Sequence, residues 1–202
     1  EIEVEGFRFD TGPSLLTMPF VLDSLYATAG RERTAELVPV DPVCRYMFAD
    51  GSVLDAWSDE TRFIDAVREI APGDAASISG FLDYSERIYN LTSDIFLFNR
   101  LDDFRKLFRV KNLRTLFQFP RIDPFRNVHS AVTSHFRDPR IVQLFDRYAT
   151  YNGSNPFTAP ATLNIIPHVE YRIGGYYVRG GMYALVRSLT QLALDLGVRI
   201  HY

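Results

Sequence analysis

Two short glycine turns are the parts of this sequence with the most evident chemical use. In the first, Phe9-Asp10-Thr11-Gly12-Pro13-Ser14, a strand-like alternation runs into a turn. Gly12 has no side chain, so a flat ligand can approach its backbone closely. In the second, Arg179-Gly180-Gly181-Met182 leads into a helical run. Free amides and the positive end of a helix dipole there can face an anionic or electron-rich group. Either turn by itself reads as an ordinary turn or cap.

Other catalytic machinery is not visible. His129, His135, His168 and His201 form no i,i+4 pair and no HExxH, and read as surface or satisfied, partly buried histidines. The sequence contains no GxSxG elbow, no Walker loop and no GxGxxG. Asp102 and Asp103 are neighbours, so on a helix they point to different faces and read as solvated charges. The single cysteine, Cys44, excludes an internal disulfide and a cysteine-based metal cage, and no metal site is expected.

The elements that would position the glycine turns follow from periodicity. Residues 1–10 alternate as a half-buried hairpin around Gly6. Pro19 opens a helix with Thr17 as its cap, carrying Val21, Leu22, Leu25 and Tyr26 on one stripe, and Gly30 ends it. Strands are expected at 37–40, 45–48 and 53–56, with Asp50-Gly51 as a two-residue hairpin turn. Ser58 caps a helix with Asp59 and Glu60 in its first turn, stopped by Pro72-Gly73. A longer helix is expected over 74–97, and two more near 125–136 and 139–150. Residues 151–160 read as a loop. The chain closes on a βα unit: strand 176–178, the Gly180-Gly181 turn and a helix over 182–196. That helix is expected to bury Leu185, Val186, Leu189, Leu192, Ala193 and Leu196, with Gly197 as its C-cap and a strand over 198–202 beyond.

Composition bounds the class. The 202 residues are 47% hydrophobic, 23% charged and 14% aromatic, which is globular and excludes wholesale disorder. The net charge of −3 gives no global basic field for wrapping nucleic acid, and no nucleic-acid partner is expected. No apolar run approaches the roughly 18 residues of a membrane-spanning helix. The chain opens on Glu1 without a leader-like segment and ends on the alternating Val198–Tyr202. It is expected to be a piece of a longer protein.

The ordered set of segments is more specific than any one of them. Gly6-Phe7-Arg8-Phe9-Asp10-Thr11-Gly12-Pro13-Ser14 resembles the GFRFDTGPS segment of the bacterial phytoene desaturase family, the FAD-dependent carotenoid desaturases of the amine-oxidase-like flavoprotein group. Asp41-Pro42, Asp50-Gly51-Ser52, Pro72-Gly73-Asp74 and Phe136-Arg137-Asp138-Pro139-Arg140 resemble that family at similar spacing. So do Gly153-Ser154-Asn155-Pro156 with Pro160-Ala161, and Gly180-Gly181-Met182-Tyr183-Ala184-Leu185. The resemblance covers essentially the whole chain. The Tyr176-Tyr177-Val178 form of the last strand, with Asn164-Ile165-Ile166-Pro167 upstream, is more similar to the thirty-carbon, diapophytoene (dehydrosqualene) branch than to enzymes of forty-carbon phytoene. The βαβ unit with GxGxxG that holds the FAD pyrophosphate in such proteins is not in this sequence.

The resemblance implies the fold class: an α+β fragment of an α/β FAD-binding flavoprotein of amine-oxidase-like fold, mostly a helical substrate domain with small β-sheet elements. Three parts are expected: a strand-rich segment at 1–57 adjoining the cofactor and substrate domains, a mostly helical substrate and membrane-facing domain at 58–170, and a βαβ return toward the FAD-binding domain at 171–202. It also implies an oxidoreductase that desaturates a C30 or C40 carotenoid precursor by hydride transfer to FAD, with this fragment alone inactive. Thr11, Gly12, Pro13, Gly180, Gly181 and Met182 would bind the cofactor, and no catalytic acid or base is assigned. Related members oxidise a terminal methyl group or isomerise carotenoids, and a non-catalytic lipid- or membrane-binding fragment is the rival reading. A polyene hydrocarbon has no polar handle, so its recognition rests on apolar burial at about 25 cal/mol per Å². The Phe- and Arg/Lys-rich stretch 96–121 would give peripheral contact at the cytoplasmic side of the cell membrane.

Overall fold

The computed structural model describes residues 1–93 and 119–201. The expected membrane contact, through residue 118, and Asp102-Asp103 lie outside the described residues. Spatial proximity divides the chain into two compact units, Glu1–Val43 with Ile173–Tyr202, and Cys44–Arg172.

The first unit opens with a hairpin. β1 (Ile2–Val4) pairs antiparallel with β2 (Phe7–Phe9), Ile2 opposite Phe9 and Val4 opposite Phe7. Glu5 and Gly6 both take positive φ, 52° and 82°, as the tight turn of a two-residue hairpin requires. The hairpin is not half-buried as its alternation suggests. Ile2, Val4, Phe7 and Phe9 are all exposed, Phe7 at 69%. The two-residue turn sets the pairing register, and among the described residues neither face is covered.

A three-stranded antiparallel sheet follows. β7 (Gly175–Val178) lies between β3 (Leu16–Thr17) and β4 (Leu37–Pro39). Leu16 pairs with Tyr176, and Leu37 with Val178. Gly175 lets the Leu15 side chain pack against the strand, because a Cβ there would stand 2.9 Å from Leu15 Cδ1. α1 (Pro19–Thr28) begins with Pro19 in its first turn, where the missing N–H costs nothing. Its N-cap is Met18 at φ 53°, with no side-chain bond. The expected cap, Thr17, is committed to β3. Only Leu22 and Tyr26 of the expected stripe are buried. They pack with Leu192 of α6 (Met182–Asp195), joined by partly buried Leu16, Leu185 and Leu189. The Tyr26 hydroxyl hydrogen-bonds Ser188 Oγ. Val186 and Leu196, expected inside, are exposed. Leu196 is the C-cap, with Gly197 following at φ 82°. Residues 198–201 form no strand. Their alternation has no partner strand among the described residues, and a strand needs one to satisfy its backbone.

The second unit is mostly helical. Its hairpin joins β5 (Cys44–Met47) to β6 (Val53–Ala56), with Met47 opposite Val53. The Phe48 amide donates to the Ser52 carbonyl at 2.9 Å and the Gly51 amide to the Phe48 carbonyl at 3.0 Å. The loop is therefore Ala49-Asp50-Gly51, three residues rather than two, with Gly51 at φ 84° as the bulge. Leu54 and Ala56 are buried, and β6 packs with α2 (Glu60–Ile70). That packing puts the hairpin in this unit.

The N-cap of α2 is Asp59, whose side chain accepts the Arg62 amide at 2.8 Å, one residue beyond the expected Ser58. α3 (Ser77–Thr92), α4 (Val128–Thr133) and α5 (Pro139–Asp146) surround the core. Phe81 contacts Phe145 at 4.4 Å between ring centroids, and Phe136 stacks on Phe145 at 4.9 Å. Buried Asp74 accepts the amides of Arg137, at 2.9 Å, and Asp138, at 2.7 Å. It ties the turn before α3 to the turn before α5. The unit also holds short 3-10 segments at Phe119–Ile122, Arg147–Asn152 and Ala161–Ile165 and ends in a π-helical turn, His168–Ile173, whose last residue belongs to the first unit.

Candidate functional site

The two glycine turns meet through Asp10. β2 ends at Phe9 and delivers Asp10 to the start of α6. Asp10 Oδ2 accepts the Met182 amide at 2.7 Å, and Oδ1 accepts the Tyr183 amide at 3.3 Å. A carboxylate is what a helix N-terminus favours, since it satisfies free amides and complements the dipole. The anion anticipated at this turn is thus the chain's own. Gly180 and Gly181 take φ 85° and 88°, which only glycine adopts without strain. A Cβ on Gly181 would also stand 2.8 Å from Asp10 Oδ2.

The six expected cofactor residues divide into two kinds. Thr11, Gly12, Pro13 and Gly180 are exposed. A Cβ on Gly12 would have no neighbour within 4 Å, so one face of this turn is open backbone. Gly181 is buried, and the Met182 amide is committed to Asp10.

A second polar constellation lies inside the helical unit. Arg147 Nη2 donates to Tyr46 OH at 2.8 Å and to Glu170 Oε2 at 3.5 Å. Its guanidinium lies over the rings of Tyr148, Tyr46 and Tyr151, at 4.5, 5.4 and 5.6 Å. Tyr151 OH donates to Glu170 Oε2 at 3.1 Å. Tyr148 OH, Tyr171 OH and Arg147 Nε are buried without a hydrogen-bond partner. Burial pushes the Tyr46 phenol up to about 12 and lifts Tyr148 and Tyr171 well above the usual tyrosine range. These phenols are donors near neutral pH, not bases. Burial acts to lower Arg147, but Tyr148, Tyr46 and Glu170 outweigh it and hold the cation. Glu170 and Tyr171 sit on the π-helical turn, a form enriched at functional sites.

Of the histidines, His129 Nδ1 lies 2.7 Å from Asp146 Oδ2 and His135 Nδ1 lies 3.0 Å from the Ala131 carbonyl, so both are satisfied. His168 is not: its Nδ1 is buried without a partner, and burial lowers its pKa. Asp10 escaped the sequence reading because its partners lie 172 and 173 residues away. Arg147, Tyr148 and Tyr151 lie close in sequence, but nothing local announces Glu170 and Tyr171 as their partners.

No family model matches the chain. Individual proteins do. A 4,4'-diapolycopene oxygenase of Methylomonas sp is 36% identical over 199 residues, covering 97% of this chain and 39% of the relative. A 1-hydroxycarotenoid 3,4-desaturase of Flavobacterium sp. (strain P99-3) is 33% identical over 202 residues, covering 100% and 41%. A phytoene desaturase (lycopene-forming) of Pantoea ananas is 32% identical over 202 residues, covering 96% and 39%. The chain therefore spans 39–41% of the length of these relatives. All three are named for oxidation of carotenoids. This chain belongs to the bacterial carotenoid desaturase family.

Proposed function

We propose that the protein carrying this chain is an FAD-dependent oxidoreductase of amine-oxidase-like fold that desaturates a carotenoid-type polyene of thirty or forty carbons. The observation that carries the reading is similarity along the full chain to carotenoid desaturases and oxygenases. It favours this activity over a lipid-binding role without catalysis.

The residues of the first unit suit a flavin in a particular way. Thr11, Gly12, Pro13 and Gly180 offer exposed, side-chain-poor backbone against which a flat ring can lie. Gly181 and Met182 hold that surface in place by engaging Asp10. When bound, a flavin supplies the two-electron acceptor for the hydride removed from the polyene. The chain's own part is to position the cofactor face and to bury an apolar chain against the helical unit. Peripheral contact with the cytoplasmic side of the membrane through 96–121 belongs to the same reading. Among the described residues no helix is long and apolar enough to cross a membrane.

The test is expression of the intact gene in hosts that accumulate diapophytoene or phytoene. New double bonds lengthen the conjugated system, so extracts should gain absorption at longer wavelength, resolved chromatographically. An unchanged precursor pool in both hosts, with soluble or membrane-bound protein detected, would overturn the proposal.

A further inference from the structure

A cleft in the helical unit, remote in sequence from the glycine turns, carries charge that binding a flavin or a polyene does not use, although its Arg121 closes the 96–121 stretch. It encloses about 510 Å³ between Tyr84 and Arg87 of α3, Pro120, Arg121 and Asp123, and Arg126 with His135. Asp123 is the one carboxylate among these lining residues, and it is occupied. It accepts from Arg126 Nε at 2.9 Å and from Tyr84 OH at 2.8 Å. Arg126 Nη1 turns to Ser134 Oγ at 3.1 Å. Arg87 lies over the Tyr84 ring at 5.5 Å, and among the described residues no carboxylate pairs with it. Arg121 is exposed at the cleft. Three guanidiniums therefore face one carboxylate in a concave site, in a chain whose net charge is −3.

We propose that this cleft binds a phosphate ester. Concavity focuses the positive potential of Arg87 and Arg121. A guanidinium presents planar paired donors that match phosphate oxygens, which a scattered surface charge does not. The space exceeds what a bare oxyanion fills, and the Tyr84 ring with Pro120 gives an apolar wall for an organic substituent. The ester is either a phospholipid headgroup or a small soluble ester. The inference does not depend on the polyene reading, and its test uses no turnover.

The intact protein is compared with an Arg87→Gln/Arg121→Gln variant. Both side chains are exposed, so circular dichroism and the melting temperature should be unchanged. One arm titrates glycerol 3-phosphate by calorimetry. The other sediments the protein with phosphatidylcholine vesicles with and without phosphatidic acid. The wild type should bind in at least one arm, and the variant should bind about tenfold or more weakly in that arm. Saturable glycerol 3-phosphate binding without vesicle binding identifies a soluble ester. Vesicle binding that requires phosphatidic acid, and that glycerol 3-phosphate does not reproduce, identifies the headgroup; binding in both arms identifies a site open to either. The proposal falls if neither arm shows binding, or if the variant keeps wild-type affinity, including for vesicles held by some other basic segment.

Discussion

The carboxylate of Asp10 accepts the backbone amide of Met182 at 2.7 Å, across 172 residues of chain. This bond joins the end of the first hairpin to the start of α6. It makes the two glycine turns parts of one structure, with Gly181 as the point of closest approach.

Substitution at the two glycines should therefore separate scaffold from surface. Gly181→Ala forces a Cβ to within 2.8 Å of Asp10 Oδ2 at φ 88° and should destabilise the fold by about 1–3 kcal/mol. Asp10→Ala removes the cap and should cost about 1 kcal/mol. Gly12→Ala meets no atom within 4 Å and has no left-handed φ, so the fold should tolerate it. If Thr11–Pro13 face the flavin, Gly12→Ala instead lowers flavin retention. Denaturant unfolding and the flavin-to-protein absorbance ratio measure the two effects. Equal loss of stability at both glycines would contradict the assignment.

The buried tyrosine cluster predicts opposite signs at neighbouring residues. Arg147→Ala would leave Glu170, 3% exposed, with only the Tyr151 hydroxyl as partner among the described residues, and should destabilise by about 1–3 kcal/mol. Tyr148→Phe removes a hydroxyl that is buried and unpartnered, and should be neutral or stabilising by up to about 1 kcal/mol. Chemical denaturation of the two variants decides. A large loss for Tyr148→Phe would mean that its hydroxyl has a partner, such as an ordered water.

How much of this was legible in the sequence depended on distance along the chain. The helices around Phe63, Phe81 and Phe145 follow from apolar spacing, because a helix is set by neighbours three and four residues apart. The β5–β6 hairpin was placed correctly, yet its turn gained a residue once Phe48 and Ser52 paired. Burial in the first unit was read less well. Ile2, Phe7, Val186 and Leu196 alternate or recur as core residues do, but periodicity says which face is apolar and not whether anything covers it. Asp10 lay inside a quoted motif, but its partner could only be found in space. Arg147 and Glu170 are a pair for the same reason: their chemistry arises where separate elements converge.

Asp74 should be a structural keystone. It is 3% exposed and its carboxylate accepts the amides of Arg137 and Asp138. Asp74→Ala removes the acceptor of both part-buried amides and should cost about 1–3 kcal/mol. Asp74→Asn keeps one good acceptor oxygen and should recover part of that loss. Thermal melts of the pair test the ordering. If Ala and Asn are equally mild, the amides are being satisfied by water instead.

Acid should weaken the helical unit through Asp138 and its neighbours. Asp138 caps α5 by accepting the Arg140 amide at 2.9 Å, and Arg140 Nη2 reaches its Oδ2 at 2.7 Å. The hydrogen bond from Arg140 holds the Asp138 carboxyl below the usual range against the opposing pull of burial. Asp50 is lowered chiefly by Ser52, and the same Arg140 reaches it at 3.1 Å. A carboxyl lowered in the folded state binds protons more readily once unfolded. Its contribution is present in full above the unfolded pKa and is lost as pH falls through the folded one. The melting temperature should thus decline between about pH 5 and pH 2. Asn caps a helix as well as Asp does, so Asp138→Asn removes the charge and keeps the cap. It should lower the neutral-pH plateau slightly and flatten the acid limb, as followed by calorimetry across that range. An acid limb as steep as that of the wild type would assign the pH dependence to other carboxylates.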